Sequence, residues 1–108
     1  MLILFDNNIP RGLAGTLSAH KVVEARARGW HPFKNGDLLK AAEDAGFDLI
    51  ITSDKSIQYE QNLSGRRIAL VVLSKGRWPL VRRRLKAIAA AVEAARPGSY
   101  TEVEVPTD

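Results

Sequence analysis

The stretch LILFDNNIP spans residues 2–10, and in it four apolar residues pass directly into Asp6, two asparagines and a proline. A short apolar run of this kind predicts a strand that is buried on both faces. Asp and Asn are common turn residues, but an acid at the end of a buried strand can also belong to a site. The pattern occurs again in DLIITSD, residues 48–54, where another apolar strand runs into Asp54. Two strands are therefore expected to deliver an acid each.

The composition is that of a single globular domain over residues 1–108, with 45% hydrophobic and 26% charged residues. No apolar run approaches the roughly 20 residues that a membrane span needs, and the first residues lack the basic region of a signal peptide. The chain has no cysteine, which excludes disulfides, thiolate catalysis and cysteine zinc sites. We expect a cytoplasmic protein without a membrane partner.

Strand-like and helix-like segments alternate along the chain. Strands are predicted over residues 2–5, 21–25, 48–52, 68–73 and 100–105. Helices are predicted after Pro10, over 38–45 with Asp37 as N-cap and Gly46 as its end, over 55–62 as one or two turns, and over 78–95; residues 29–36 form a loop. This alternation predicts an α/β sandwich with a mostly parallel sheet.

Asp6 and Asp54 are the leading site candidates, and Asp37 is the third. In open parallel sheets, ligands bind outside the carboxyl ends of the strands, which is where the first two acids are expected. Clustered carboxylates repel one another unless a cation neutralises them, so convergence predicts Mg²⁺ or Mn²⁺. Each acid alone has an ordinary alternative: Asp6 as a turn residue, and Asp37 and Asp54 as helix caps. Glu24 is expected within reach of the site, but no motif supports it.

Several polar residues flank the acids, and each has a possible functional role and a possible structural role. These residues are Asn7, Asn8, Ser53 and Lys55. The asparagines either orient Asp6 or form the turn, Ser53 and Thr52 either bond a phosphate or close the strand, and Lys55 faces either a phosphate or solvent. His20 and His31 lack metal-ligand spacing, and we treat both as non-catalytic.

Basic residues concentrate in one region, between Lys75 and Arg96, where Glu93 is the only acid. The members expected to bind nucleic acid are Lys75, Arg77, Arg82, Arg83, Arg84 and Lys86. A solvated helix face normally mixes charges, so a stripe of one sign favours a polyanion such as RNA. The alternative use of the stripe is an interface with an acidic partner or with a second copy of the chain, as in a homodimer.

Two motifs in this order resemble small stand-alone PIN-like domains. LILFDNNIP resembles their first strand, which typically ends in Asp-Glu-Asn-hydrophobic-Pro, and GDLLKAAEDAGFDLIITSDKSI resembles their second block. The likeness covers most of residues 1–75. It implies a PIN-like three-layer α/β sandwich, with Asp6, Asp37 and Asp54 as a divalent-metal site that cleaves RNA. Many relatives are toxins of toxin–antitoxin pairs, so an antitoxin protein is an implied partner.

The sequence departs from that pattern, which leaves alternatives open. Asn7 stands where the family has Glu, and Ser74 and Lys75 follow the fourth strand, where larger relatives often carry another acid. The chain also resembles a receiver domain, in which Asp54 is phosphorylated and Asp6 helps to hold Mg²⁺. Against this reading, receivers pair two acids at the first strand, and Asn7 breaks that pair. A third reading is a PIN-like binding module without catalytic activity.

Overall fold

The computed structural model describes residues 1–57 and 65–107, and the strands of this part form one five-stranded sheet. The strands are β1 (Leu2–Phe5), β2 (Lys21–Glu24), β3 (Leu49–Thr52), β4 (Ala69–Leu73) and β5 (Tyr100–Val103). Each corresponds to a strand predicted from the sequence, shortened by no more than two residues. All four neighbouring pairs are parallel, in the order β2-β1-β3-β4-β5. The predicted α/β class with a parallel sheet is confirmed.

Short helical segments connect the strands. The α-helices among the described residues are α1 (Asn35–Asp44), α2 (Trp78–Val81) and α3 (Leu85–Ala94), and the 3-10 segments are Arg11–Leu17, Ala25–Arg28 and Arg82–Arg84. The segment after Pro10 is thus a 3-10 helix, with the predicted pair Leu13 and Leu17 buried on one side. Most of the predicted turn over 55–62 lies outside the described residues, although Ile57 is buried in the core.

Two hydrophobic clusters cover the two faces of the sheet. One face packs against the 3-10 segment Arg11–Leu17 and against α2 and α3, through Leu13, Val81, Ile88 and others. The opposite face packs against α1 and the start of the 3-10 segment Ala25–Arg28. Strands β3 and β4 are buried along their whole length because both of their faces are covered. The architecture is compatible with the expected three layers.

The two connections that cross the first face differ in hand. The chain passes over that face from β1 to β2 in one direction and from β4 to β5 in the other direction. Connections that run in opposite directions across one face must have opposite hands, so one of the two is left-handed, which is uncommon between parallel strands. This crossing brings the α2–α3 region against the segment Arg11–Leu17, where the ring of Trp78 lies over Gly12.

The predicted N-cap role of Asp37 is wrong. Helix α1 begins at Asn35, its N-cap is Lys34, and Asp37 lies in the first turn. The backbone N–H groups of Asp37 and Leu38 both donate to the carbonyl of Lys34, at 2.8 and 3.1 Å, so the first turn closes before Asp37 can cap it. The predicted end of the helix is confirmed, because Gly46 has φ +86° and its N–H donates to Glu43.

The predicted continuous helix over 78–95 is also wrong. A 3-10 turn at Arg82–Arg84 separates α2 from α3, and Arg84 has φ −122° and ψ 24°, outside the helical range. The guanidinium of Arg84 donates from Nε to the carbonyl of Glu104 at 3.1 Å, which favours this break. Leu85 is consequently only half-buried, whereas Val81, Ile88 and Val92 are buried as expected.

The amino-terminal end of the sheet has its own polar contacts. His20 bonds the amino group of Met1 through Nδ1 at 3.0 Å and pairs with Glu93 of α3 through Nε2. Asp48 accepts the N–H of Leu2 at 2.8 Å. Because the strands are parallel, this end lies opposite the end at which Asp6 and Asp54 emerge, and His20 is remote from them.

Candidate functional site

The candidate site lies where the direction of winding reverses. From β1 the chain moves outward to β2 and then returns to form β3 on the other side of β1. Asp6 directly follows β1 and Asp54 lies two residues beyond β3, so both acids emerge at the carboxyl edge of neighbouring strands. Such a reversal leaves a crevice at this edge, and open α/β sheets bind ligands there.

Asp6 is held by the sheet and by two hydrogen bonds to its carboxylate. Its backbone N–H donates to the carbonyl of Ile51 at 3.0 Å, which extends the β1–β3 ladder by one residue. The N–H of Asn7 donates to Oδ1 at 2.8 Å, and the hydroxyl of Thr52 donates to Oδ2 at 2.8 Å. The carboxylate is half-buried and therefore has a fixed orientation while part of it remains open to a ligand.

Thr52 connects the two acids. Its side chain is fully buried, and while its hydroxyl donates to Asp6 it accepts the backbone N–H of Asp54 at 3.1 Å. The carboxylate of Asp54 accepts both the N–H and the hydroxyl of Ser56 on Oδ1, at 3.0 and 2.7 Å. The sequence indicated Thr52 only as a phosphate contact or as the residue that closes the strand. A buried hydroxyl between two aspartates was not predictable before the β1–β3 pairing was known.

The two asparagines fix the loops around the acids. Asn8 accepts the N–H of Ser53 on Oδ1 at 3.1 Å, which ties the end of β1 to the end of β3. Asn7 donates from Nδ2 to the carbonyl of His31 at 2.8 Å, which ties the same turn to the loop before α1. Both residues therefore hold backbone at the site.

Asp6 and Asp54 line one open cleft of about 540 Å³. Its lining residues are Asp6, Asn7, Asn8, His31, Pro32, Phe33, Lys34, Asp54 and Ser56. Four consecutive residues of this wall, 31–34, were not among the sequence candidates, and His31 had been set aside. The segment was predicted only as a loop, because Pro32 and the flanking glycines indicate a loop without indicating where it packs.

Other sequence candidates lie elsewhere. Asp37 is exposed and borders a neighbouring depression with Phe33, Lys40 and Asp44 instead of lining the cleft. Lys55 pairs with Glu102 of β5, with Nζ and Oε2 3.6 Å apart. Glu24 ends β2 at the same edge, but Arg11 bonds it at 3.0 Å. The structure thus brings together Asp6 and Asp54 and leaves Asp37 apart from them.

Glu43 of α1 contacts the segment that precedes β4. The side chain is half-buried and accepts hydrogen bonds from Nη1 of Arg66 at 2.9 Å and from the N–H of Arg67 at 3.1 Å. Glu43 therefore joins α1 to the approach of β4, and it has a structural explanation independent of the site.

Across residues 1–57 and 65–107, no group of three or more His, Cys, Asp or Glu side chains is placed to hold a metal ion. The cleft has two carboxylates: both oxygens of Asp6 and Oδ1 of Asp54 accept hydrogen bonds, and each carboxylate keeps lone pairs for a further ligand. Mg²⁺ is commonly held by one or two carboxylates with water and substrate phosphate as further ligands. The pair Asp6 and Asp54 fits that mode of binding.

The loop after β4 lies against the acid-bearing turns. A Cβ added to Gly76 would be 2.5 Å from the carbonyl oxygen of Asn8 and 2.9 Å from Oγ of Ser53. This contact places the flanking Lys75 and Arg77, both exposed, at the same edge of the sheet as the cleft. Arg82, Arg83 and Lys86 are exposed as well, while Arg84 is half-buried and bonded to Glu104.

Comparisons of the chain with models of protein families, with curated proteins and with solved structures find no match. The resemblance of the two sequence motifs to PIN-like domains therefore stays a prediction. In the part of the chain that the structure describes, no helix is both long and apolar enough to cross a membrane.

The central role of Thr52 leads to the first prediction. Thr52→Val keeps the shape of the side chain but leaves Oδ2 of Asp6 without its donor and the N–H of Asp54 without its acceptor. We expect a loss of about 1–3 kcal/mol in the free energy of unfolding, measured with urea, and faster hydrogen exchange at the Asp54 amide. Thr52→Ser is the matched control and retains slow exchange at that amide. Equal protection of the Asp54 amide in both variants contradicts the assignment.

Proposed function

We propose that this protein is a PIN-like, Mg²⁺- or Mn²⁺-dependent ribonuclease that hydrolyses phosphodiesters of RNA. The observation that carries the proposal is the shared cleft of Asp6 and Asp54 at the carboxyl edge, where the winding of the sheet reverses. The order of the two motifs supports the family, and the exposed basic residues support a polyanionic substrate.

The residues of the cleft divide into two roles. Asp6 and Asp54 would hold a divalent ion, while Thr52, Asn7, Asn8 and Ser56 fix these acids and their turns through the hydrogen bonds described above. A bound divalent ion activates water and neutralises charge on the phosphoryl group. The reaction then needs no protein nucleophile, in keeping with the absence of cysteine from the chain.

The basic residues give the substrate a path to the acids. Lys75 and Arg77 flank Gly76 beside the turn of Asn8, and the chain continues from there to Arg82 and Arg83. Phosphates bound along this region would bring the next phosphodiester to the cleft. Arg84 donates a hydrogen bond to the carbonyl of Glu104, so we expect it to contribute less to RNA binding than Arg82 and Arg83 do.

The departures from the family pattern bear on the activity. Ser74, which stands where larger relatives carry another acid, is occupied in anchoring the chain after β5: its Oγ accepts the N–H of Val105 at 2.6 Å. The proposed site consequently has two carboxylates in the cleft. We also propose that the protein acts as a toxin with an antitoxin partner, and this proposal rests on the motif resemblance alone. The proposal of a homodimer rests on the basic stripe alone.

The metal site is tested by substitution of the acids. We expect millimolar Mn²⁺ to raise the melting temperature of the parent, because a ligand that binds only the folded state stabilises it. Asp6→Asn and Asp54→Asn should lose both this shift and RNA cleavage. Asp37→Asn is the matched control, and we expect it to retain both because Asp37 lies outside the cleft.

The results for these variants distinguish the proposed metal site from two alternatives, a site that includes Asp37 and a binding module without catalytic activity. Loss of cleavage in Asp37→Asn would return Asp37 to the metal site, as the family resemblance implies. A parent that binds RNA but neither cleaves it nor responds to Mn²⁺ or Mg²⁺ would instead be the inactive binding module.

The basic residues are tested by their salt dependence. Replacement of Arg82 and Arg83 by Gln should weaken RNA binding and reduce the log–log salt slope by roughly 0.7 for each lost phosphate contact. The control carries the same charge change at the opposite edge of the sheet, with Arg67 and Arg96 replaced by Gln. If both double variants show the parental salt slope, Arg82 and Arg83 do not bind RNA. A change in the mass of the Arg82 and Arg83 variant, measured by light scattering, would instead assign these two residues to an interface between protein chains.

The strand order favours a second candidate, a receiver-like phosphoacceptor. The order β2-β1-β3-β4-β5 is the one found in flavodoxin-like doubly wound sheets, and Asp54 follows β3. However, α3 crosses the same face as the segment Arg11–Leu17, whereas a doubly wound sheet whose connections all share one hand would place it on the other face. Acetyl phosphate with Mg²⁺ should leave the mass of the protein unchanged; a phosphoryl adduct that Asp54→Asn abolishes would support this candidate over the ribonuclease.

A further inference from the structure

An exposed aromatic ring borders the acid cleft. The side chain of Phe33 is 38% exposed, and it lines the cleft together with Asp6, Asp54 and Lys34. Among the described residues it is one of three exposed large apolar side chains, with Met1 and Trp78, and of these three it alone lines the cleft. An aromatic ring beside a polar cleft presents a flat apolar surface to whatever enters the cleft.

The ring is held in place by its neighbours. Phe33 stacks on Trp30, with ring centroids 6.4 Å apart and planes inclined by 17°. Trp30 in turn packs edge-on against Phe47, a core residue, with centroids 5.8 Å apart, and the guanidinium of Arg28 lies 4.8 Å from the centroid of the Trp30 ring. The aromatic group is therefore anchored in the core at one end and open at the other.

The backbone of this loop is tied to the acid-bearing turn. The N–H of Phe33 donates to the carbonyl of Trp30 at 2.9 Å, and the carbonyl of His31 accepts the side chain of Asn7 at 2.8 Å. Phe33 and the acids thus share a framework, and the ring position is fixed relative to Asp6 before a ligand arrives. Lys34, exposed and next in sequence, adds a cation to the same wall.

We propose that Phe33 is a base-stacking residue, on which one nucleobase of single-stranded RNA stacks next to the phosphodiester held at Asp6 and Asp54. The inference rests on the proposed ribonuclease function and names its substrate as unpaired RNA. Exposed bases of single strands stack on aromatic side chains, whereas bases in a duplex do not offer their faces. Lys34 binds a phosphate beside the stacked base. Stacking recognises every base, so this site selects single-stranded RNA with little sequence preference.

The test uses a ten-nucleotide RNA and a series of copies with one abasic position each, bound in EDTA so that no cleavage occurs. One abasic position should weaken binding to the parent by about 5- to 150-fold, the range for one stacked base. Phe33→Ala should bind the intact RNA as weakly as the parent binds that abasic copy, and should not distinguish the two. Phe33→Trp should restore the difference.

Trp78 provides a matched control, since it is 37% exposed but lies over Gly12 on the other face of the sheet. Trp78→Ala should keep the parental preference for the intact RNA. If Phe33→Ala keeps that preference while Asp6→Asn abolishes cleavage, the stacking assignment is wrong and the ribonuclease stands. If the parent binds no RNA, both fall. An equal loss in Trp78→Ala would also overturn the assignment to Phe33.

Discussion

The pairing of β1 with β3 is the constraint on which the rest of the structure depends. Three residues of each strand are in parallel register, Ile3 to Leu49 through Phe5 to Ile51, and the bond from Asp6 to Ile51 continues the ladder to the acid. Both strands are buried on both faces, so a shift of one residue would exchange side chains between the two cores. This register is what places the carboxylate of Asp6 beside the hydroxyl of Thr52.

The elements that the sequence predicted well are those that burial specifies locally. An apolar run that must be covered on both faces is visible in the sequence itself, and β1, β3 and β4 were located for this reason, whereas β2 and β5 are only partly buried. The positions of Asp6 and Asp54 followed, because parallel strands bring their carboxyl ends to one edge. The start of α1 and the break at Arg84 were not predictable in this way, since they depend on bonds to the carbonyls of Lys34 and Glu104.

The features that the sequence did not reveal depend on contacts between distant segments. Phe33 lies in a segment whose sequence predicts only a loop. The ring of Phe33 stacks on Trp30, and the packing of Trp30 on Phe47 places this pair beside the acids. Asp37 shows the converse: its position in a motif suggested the site, but the helix turns it toward Lys40 and Asp44. The left-handed crossing likewise has no local signal, because strand order and connection side are properties of the whole sheet.

The hydrogen bond between Thr52 and Asp6 joins residues that are 46 positions apart in the chain. Contacts of such separation form only after a large loop has closed, and parallel pairing is slow for that reason. The cleft therefore does not exist in any fragment or early intermediate in which β1 and β3 are apart. The two acids come together only where β1 and β3 are paired, so any competence of the cleft depends on the same long-range pairing that builds the core.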